Sequence, residues 1–164
     1  MNWPLLHIQI NHFPIILTIV GSAVLLLALI VRQRALWLYA VATLTLAGLG
    51  VGPVYYTGGQ AGDAVQNTWY VVDEVVNMHD DAAMWALISI LLMGAASAYT
   101  WWRMVRREPT TLPPTWLRVV VAVLAAFGLS TVIRTAYLGG QIVHESPRLA
   151  TPPTSVAPSP STAP

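Results

Sequence analysis

Four long apolar runs separated by short polar stretches set the pattern of this chain. Pro14 to Val31 carries no charge and ends at Arg32-Gln33-Arg34. Further runs cover Leu36 to about Tyr56, Ala82 to about Trp102, and Thr115 to Leu138. Each is close to the ~20 apolar residues that cross a bilayer's hydrocarbon core as a helix. Val31 and Leu36 are so close that the first two spans must fold back as an antiparallel hairpin. Pro109, Pro113 and Pro114 mark the turn of a second hairpin. The expected fold is all-α: an integral-membrane bundle of four helices over residues 1–144.

The flanking polar positions refine this picture. Asn11 and His12 stand as caps before the first span, with Pro14 in its first turn. Gly48, Gly50 and Gly52 offer small faces for close helix approach, and Pro53 a kink. Residues 61–78 are too polar to cross a membrane. Trp69 and Tyr70 suit its interface, and Val72, Val75 and Val76 fit one side of a short surface helix. After His144, residues 145–164 turn to Pro, Ser, Thr and Ala, the composition of a disordered tail.

Composition agrees with a membrane protein: 55% of residues are hydrophobic and 9% charged, where soluble domains carry about a quarter charged. The absence of cysteine excludes disulfides, thiolate metal sites and covalent c-type haem. A net charge of +1 gives no basis for a nucleic-acid partner. Met1 to Phe13 lacks Lys and Arg, so the first apolar run is expected to stay in the protein rather than leave as a signal peptide. Arg32, Arg34, Arg103, Arg106, Arg107 and Arg118 all lie at the two hairpin turns. The positive-inside rule then puts both turns in the cytoplasm and both termini outside, periplasmic for a bacterial inner membrane. His7, His12, His79 and His144 all fall at the outer end.

A short motif recurs at that end. Tyr56-Thr57-Gly58-Gly59-Gln60 is echoed by Tyr137-Leu138-Gly139-Gly140-Gln141, and His144 falls where the first copy has Asp63. With His12 and His79 before the first and third spans, the two hairpins read as parallel repeats about an axis along the membrane normal. If the fourth helix continues through its glycines, Arg134, Tyr137, Gln141 and His144 share one face. If it does not, Gly139-Gly140 form a left-handed cap.

Asn11-His12-Phe13-Pro14, Thr57-Gly58, His79-Asp80 and the ending Gly139 to His144 together resemble the motifs of a bacterial four-helix integral-membrane family of unknown function. The resemblance spans about residues 5 to 146. It implies the fold and the membrane location, and no particular reaction.

Three uses of the outer histidines stay open. His12 and His79 facing each other would make an axial pair for b-type haem. Gly58, Gly59, Gly139 and Gly140 would give room, Arg134 would pair with a propionate, and Tyr56, Tyr137 and Trp85 would line the pocket. Electron transfer with a quinone or a partner cytochrome would follow. A bare transition-metal site would draw on His12, His79, His144, Asp63, Asp80 and Glu145. The third use is structural, in an accessory subunit of a larger membrane complex that holds no cofactor. His7, in apolar surroundings near the terminus, reads as a capping group. Sequence signatures of metallohydrolases, serine hydrolases and phosphate-loop enzymes are missing, so a hydrolase or nucleotide enzyme has no positive support.

Overall fold

The computed structural model describes residues 1–65, 68, 71–108 and 111–144. Among these, four helices follow one another: α1 (Trp3–Val31), α2 (Arg34–Val65), α3 (Asp73–Val105) and α4 (Thr115–His144). All four are long and apolar enough to cross a membrane. At 1.5 Å per residue, helices of 29 to 33 residues reach about 43–50 Å. That exceeds the ~30 Å hydrocarbon core, so their ends project into the interfacial layers. This is a multi-pass, all-α four-helix bundle.

The helices run past the apolar stretches at both ends. α1 begins eleven residues before Pro14, because Asn2 accepts a hydrogen bond from the Leu5 amide (3.1 Å) and Pro4 suits the first turn. Asn11 and His12 therefore lie within the helix and are not caps, and Pro14 is a buried interior proline. The expected surface helix is also absent as a separate piece: Val75 and Val76 belong to the first turns of α3, which Asp73 and Glu74 open with charges that suit the helix dipole. α2 and α4 both continue through their Gly-Gly pairs, and no glycine among the described residues has positive φ. The left-handed cap is not formed. Trp69, Tyr70, Glu145 and the tail lie outside the described residues.

Buried positions reveal an internal twofold. On α1 they are Pro14, Thr18, Gly21, Leu25 and Ala28, a three-four spacing that suits left-handed bundle packing. Shifting by the His7-to-His79 interval carries them onto Ala86, Ile90, Met93, Ser97 and Thr100, all buried on α3. The Gly58-to-Gly139 interval likewise carries Ala40, Leu44, Ala47, Val51 and Thr57 onto Val121, Ala125, Gly128, Val132 and Leu138. α1 and α2 pack most extensively, α3 packs equally on α2 and α4, and α1 and α4 touch least among neighbours.

Small residues set these contacts. A Cβ on Gly48 would lie 2.8 Å from the Gly94 Cα, and the reverse holds, so α2 and α3 meet backbone to backbone. A Cβ on Gly50 would lie 2.9 Å from the Phe13 ring, and one on Gly21 would strike the Leu44 side chain at 2.6 Å. At the opposite end Arg34 donates to the carbonyls of Met104 (2.8 Å), Glu108 (2.9 Å) and Thr111 (3.2 Å), tying the two hairpin turns together.

Gly48→Ala and Gly94→Ala are expected to lower stability by about 1–3 kcal/mol, since neither backbone can yield. Gly52→Ala, whose Cβ meets nothing within 4 Å, should be neutral or stabilising by up to about 1 kcal/mol. Thermal unfolding of the detergent-solubilised variants measures both.

Candidate functional site

A cavity of about 210 Å³ lies between the four helices at the end where the termini meet. Its walls are mainly apolar, built from Pro14, Ile15, Val51, Val54, Ala83, Ala86, Ile90 and Val132, with His7, Asn11, His79, Asp80 and Thr135 as the polar positions. The lining follows the internal twofold: His7 pairs with His79, Pro14 with Ala86, Val51 with Val132, Val54 with Thr135, and Gly58 with Gly139.

The two histidines are held alike. His79 Nδ1 lies 3.1 Å from the carbonyl of Thr135. A carbonyl only accepts, so Nδ1 carries the proton in the neutral ring and Nε2 keeps its lone pair. His7 Nδ1 lies 3.3 Å from Thr57 Oγ1, a hydroxyl that donates to the carbonyl of Val54 (3.0 Å), the counterpart of Thr135, and so accepts from the ring. Both imidazoles thus present an unprotonated Nε2 with no hydrogen-bond partner among the described residues. Each ring edge also rests on a glycine. A Cβ on Gly58 would lie 3.1 Å from His7 Cε1, and one on Gly139 the same distance from His79 Cε1. Here lies the physical use of the repeated glycines. They let the imidazole approach the helix that holds it.

His79 acts electrostatically on His7, and Asp80 acts on both. Asn11 adds a further group, its Oδ1 buried without a hydrogen-bond partner. Asp80 lines the cavity and also an outer groove between α2 and α3, where Asp63, Asp73 and Asn77 face it.

The expected partner of His79 was His12, but the twofold register pairs His79 with His7. His12 is exposed, and its Nδ1 lies 2.9 Å from the Ile8 carbonyl one turn back. His144 is exposed at the end of α4. Arg134, Tyr137, Gln141 and His144 do share a face of the continuous helix, and Gln141 donates to the Tyr137 hydroxyl at 3.3 Å. Arg134 and Tyr137 point outward, away from the cavity, as do Tyr56 and Trp85. Gly59 lines the cavity, whereas Gly140 does not. Among the described residues no three His, Asp or Glu side chains come together as a metal-ligand group. His7 has no local signature because its partner, the Thr57 hydroxyl, belongs to another helix. The signal that could have found it is its spacing: seven residues before Pro14, as His79 is before Ala86.

No protein-family model, curated protein or solved structure matches this chain.

Isotope-labelled histidine should show by nitrogen NMR that neutral His7 and His79 are both protonated at Nδ1. Gly58→Ala should disturb the His7 signal alone, and Gly139→Ala the His79 signal alone. Gly140→Ala, with open space at its Cβ, should leave both unchanged.

Proposed function

We propose that this is a membrane-embedded quinol-binding protein in which His7 and His79 accept hydrogen bonds from the two hydroxyls of one ring. The observation that carries this reading is the pair of twofold-related imidazoles, each anchored through Nδ1 and each offering Nε2 to one small, mainly apolar cavity. A para-dihydroxy ring has the same twofold disposition of polar ends on an apolar body. The volume suits a single ring, since pockets that bury drug-sized ligands run from about 300 to 1,000 Å³. Asn11 supplies a further polar contact. The chain's own residues bind the ring and can take up its protons at Nε2. The electrons then pass to a separate redox partner, for which a cytochrome of a larger membrane complex is the fitting class.

A second reading has one specific observation in its favour. Imidazoles that ligate metals are usually held by a hydrogen bond from the other ring nitrogen to a carbonyl or carboxylate, as His79 is by Thr135; His7 is held by the Thr57 hydroxyl. The pair His7 and His79 would then be the axial ligands of a b-type haem, with the helices moved apart to admit the macrocycle.

Titration of the purified protein with a quinol, followed by tryptophan fluorescence, distinguishes these readings. His7→Ala and His79→Ala are each expected to weaken binding by roughly tenfold, the loss of about one hydrogen bond's worth of free energy. His12→Ala and His144→Ala should change it little. A haem absorption band that disappears in His7→Ala would favour the second reading. Protein that is colourless and binds no quinol would leave an accessory subunit.

For orientation we propose a bacterial inner membrane with both termini in the periplasm, supported by the arginines gathered at the hairpin turns. A periplasm-dependent reporter fused at the C-terminus should be active, and one inserted after Arg107 inactive. The reverse pattern would place the cavity on the cytoplasmic side.

A further inference from the structure

The twofold is broken at the two seams where one hairpin meets the other, and every difference points the same way. At the α2–α3 seam, Tyr55 stands beside the cavity, and Asp80 and Leu87 face it across the outer groove. The twofold counterpart of Tyr55 on α4 is Ala136; both line the cavity and both are exposed. The seam between α1 and α4 therefore carries a methyl group where its twin carries a ring. Lower down, Gly48 and Gly94 close α2 on α3 backbone to backbone. Their counterparts are Leu129 and Ser22, side chains that prevent such an approach, and α1 and α4 touch least of the neighbouring pairs.

Polarity divides the seams as well. The counterpart of Asp80 is Ile8, and that of Gly52 is Ile133; both isoleucines are exposed, at 47% and 58%. One seam is thus an acidic groove suited to water, and the other an apolar opening suited to lipid.

We infer that the ligand of the His7–His79 cavity is an amphiphile whose hydrocarbon chain leaves the cavity between α1 and α4, past Ala136, Ile8 and Ile133. This rests on the quinol reading above and narrows it to membrane-borne, isoprenoid-tailed quinols. The cavity volume supports it independently, because about 210 Å³ holds a ring and leaves no room for a long chain. A chain already dissolved in lipid can stay there while the ring swings inward, so entry needs no transfer of the tail through water.

The test compares an isoprenoid-tailed quinol with its tail-free ring, titrated into the full chain in detergent. Ala136→Tyr places on α4 the ring that Tyr55 provides on α2. It should weaken binding of the tailed quinol by about tenfold or more while leaving the tail-free ring within about twofold. Leu87→Tyr, which narrows the α2–α3 groove outside the cavity, should alter neither. If Ala136→Tyr does not fold, Ile133→Tyr narrows the same opening from its lipid side and should discriminate the same way. Equal effects on both ligands, or tail-specific loss in a variant of the α2–α3 seam instead, would overturn the portal while leaving the ring site standing. Wild-type protein that binds the tail-free ring and rejects the tailed quinol would also overturn it. Failure to bind either ligand removes the quinol reading itself, and the portal with it.

Discussion

The backbone contact between α2 and α3 at Gly48 and Gly94 is the constraint from which the rest of the bundle follows. Lipid offers little hydrophobic drive for one apolar helix to pack on another, so close van der Waals approach between small residues must supply much of the attraction. Two glycines facing each other give the closest approach available. They draw the hairpins together along one seam only. The other seam has Ser22 and Leu129 at the related positions and stays looser. A bundle pinned on one side and loose on the other has room near its end, and the cavity lies there.

Polar groups inside the bundle are satisfied to different degrees: Thr18, Ser22 and Ser97 keep buried hydroxyls with no partner among the described residues, while others bond locally. Thr43, Thr45, Thr100 and Thr135 return their hydroxyls to the carbonyl four residues back, and Ser89 meets Thr131 across helices at 2.7 Å. These are satisfied locally, as an apolar surrounding demands. His7 and His79 are satisfied on one nitrogen only. Each of these rings keeps one lone pair without a partner among the described residues. Asn11 Oδ1, buried and unpartnered on the same wall, has the same character.

In the repeated Tyr-x-Gly-Gly-Gln the tyrosines and the first glycine face in different directions. Its tyrosines face outward, and the Arg134–Tyr137 side of α4 does so as well. The working residue is the first glycine of each pair, which makes room for an imidazole from the preceding helix of the hairpin. Broken symmetry then distinguishes the halves, through Tyr55 against Ala136 and Asp80 against Ile8. The internal twofold supplies two equivalent imidazoles, and the two seams differ in polarity.

The amino-acid sequence alone determined the four spans, the two hairpins, the gathering of arginines at one end and histidines at the other, and the existence of a repeat. These follow from hydropathy, chain reach and charge counts, which are properties of consecutive residues. It did not determine where α1 begins, because an apolar run reports the hydrocarbon core and not the capped helix that extends beyond it; Asn2 and Pro4 decide that start. It also left the register of the repeat open, and with it the choice between His7 and His12. Both histidines precede the first span, five residues apart, and nothing local says which ring faces inward. Only packing decides: helix rotation turns His12 outward, and the glycine of a neighbouring helix receives His7 against the backbone of α2. A partner carbonyl or a glycine notch on another helix is a long-range contact, set by how the helices rotate and cross, and it has no signature in the residues on either side of the histidine.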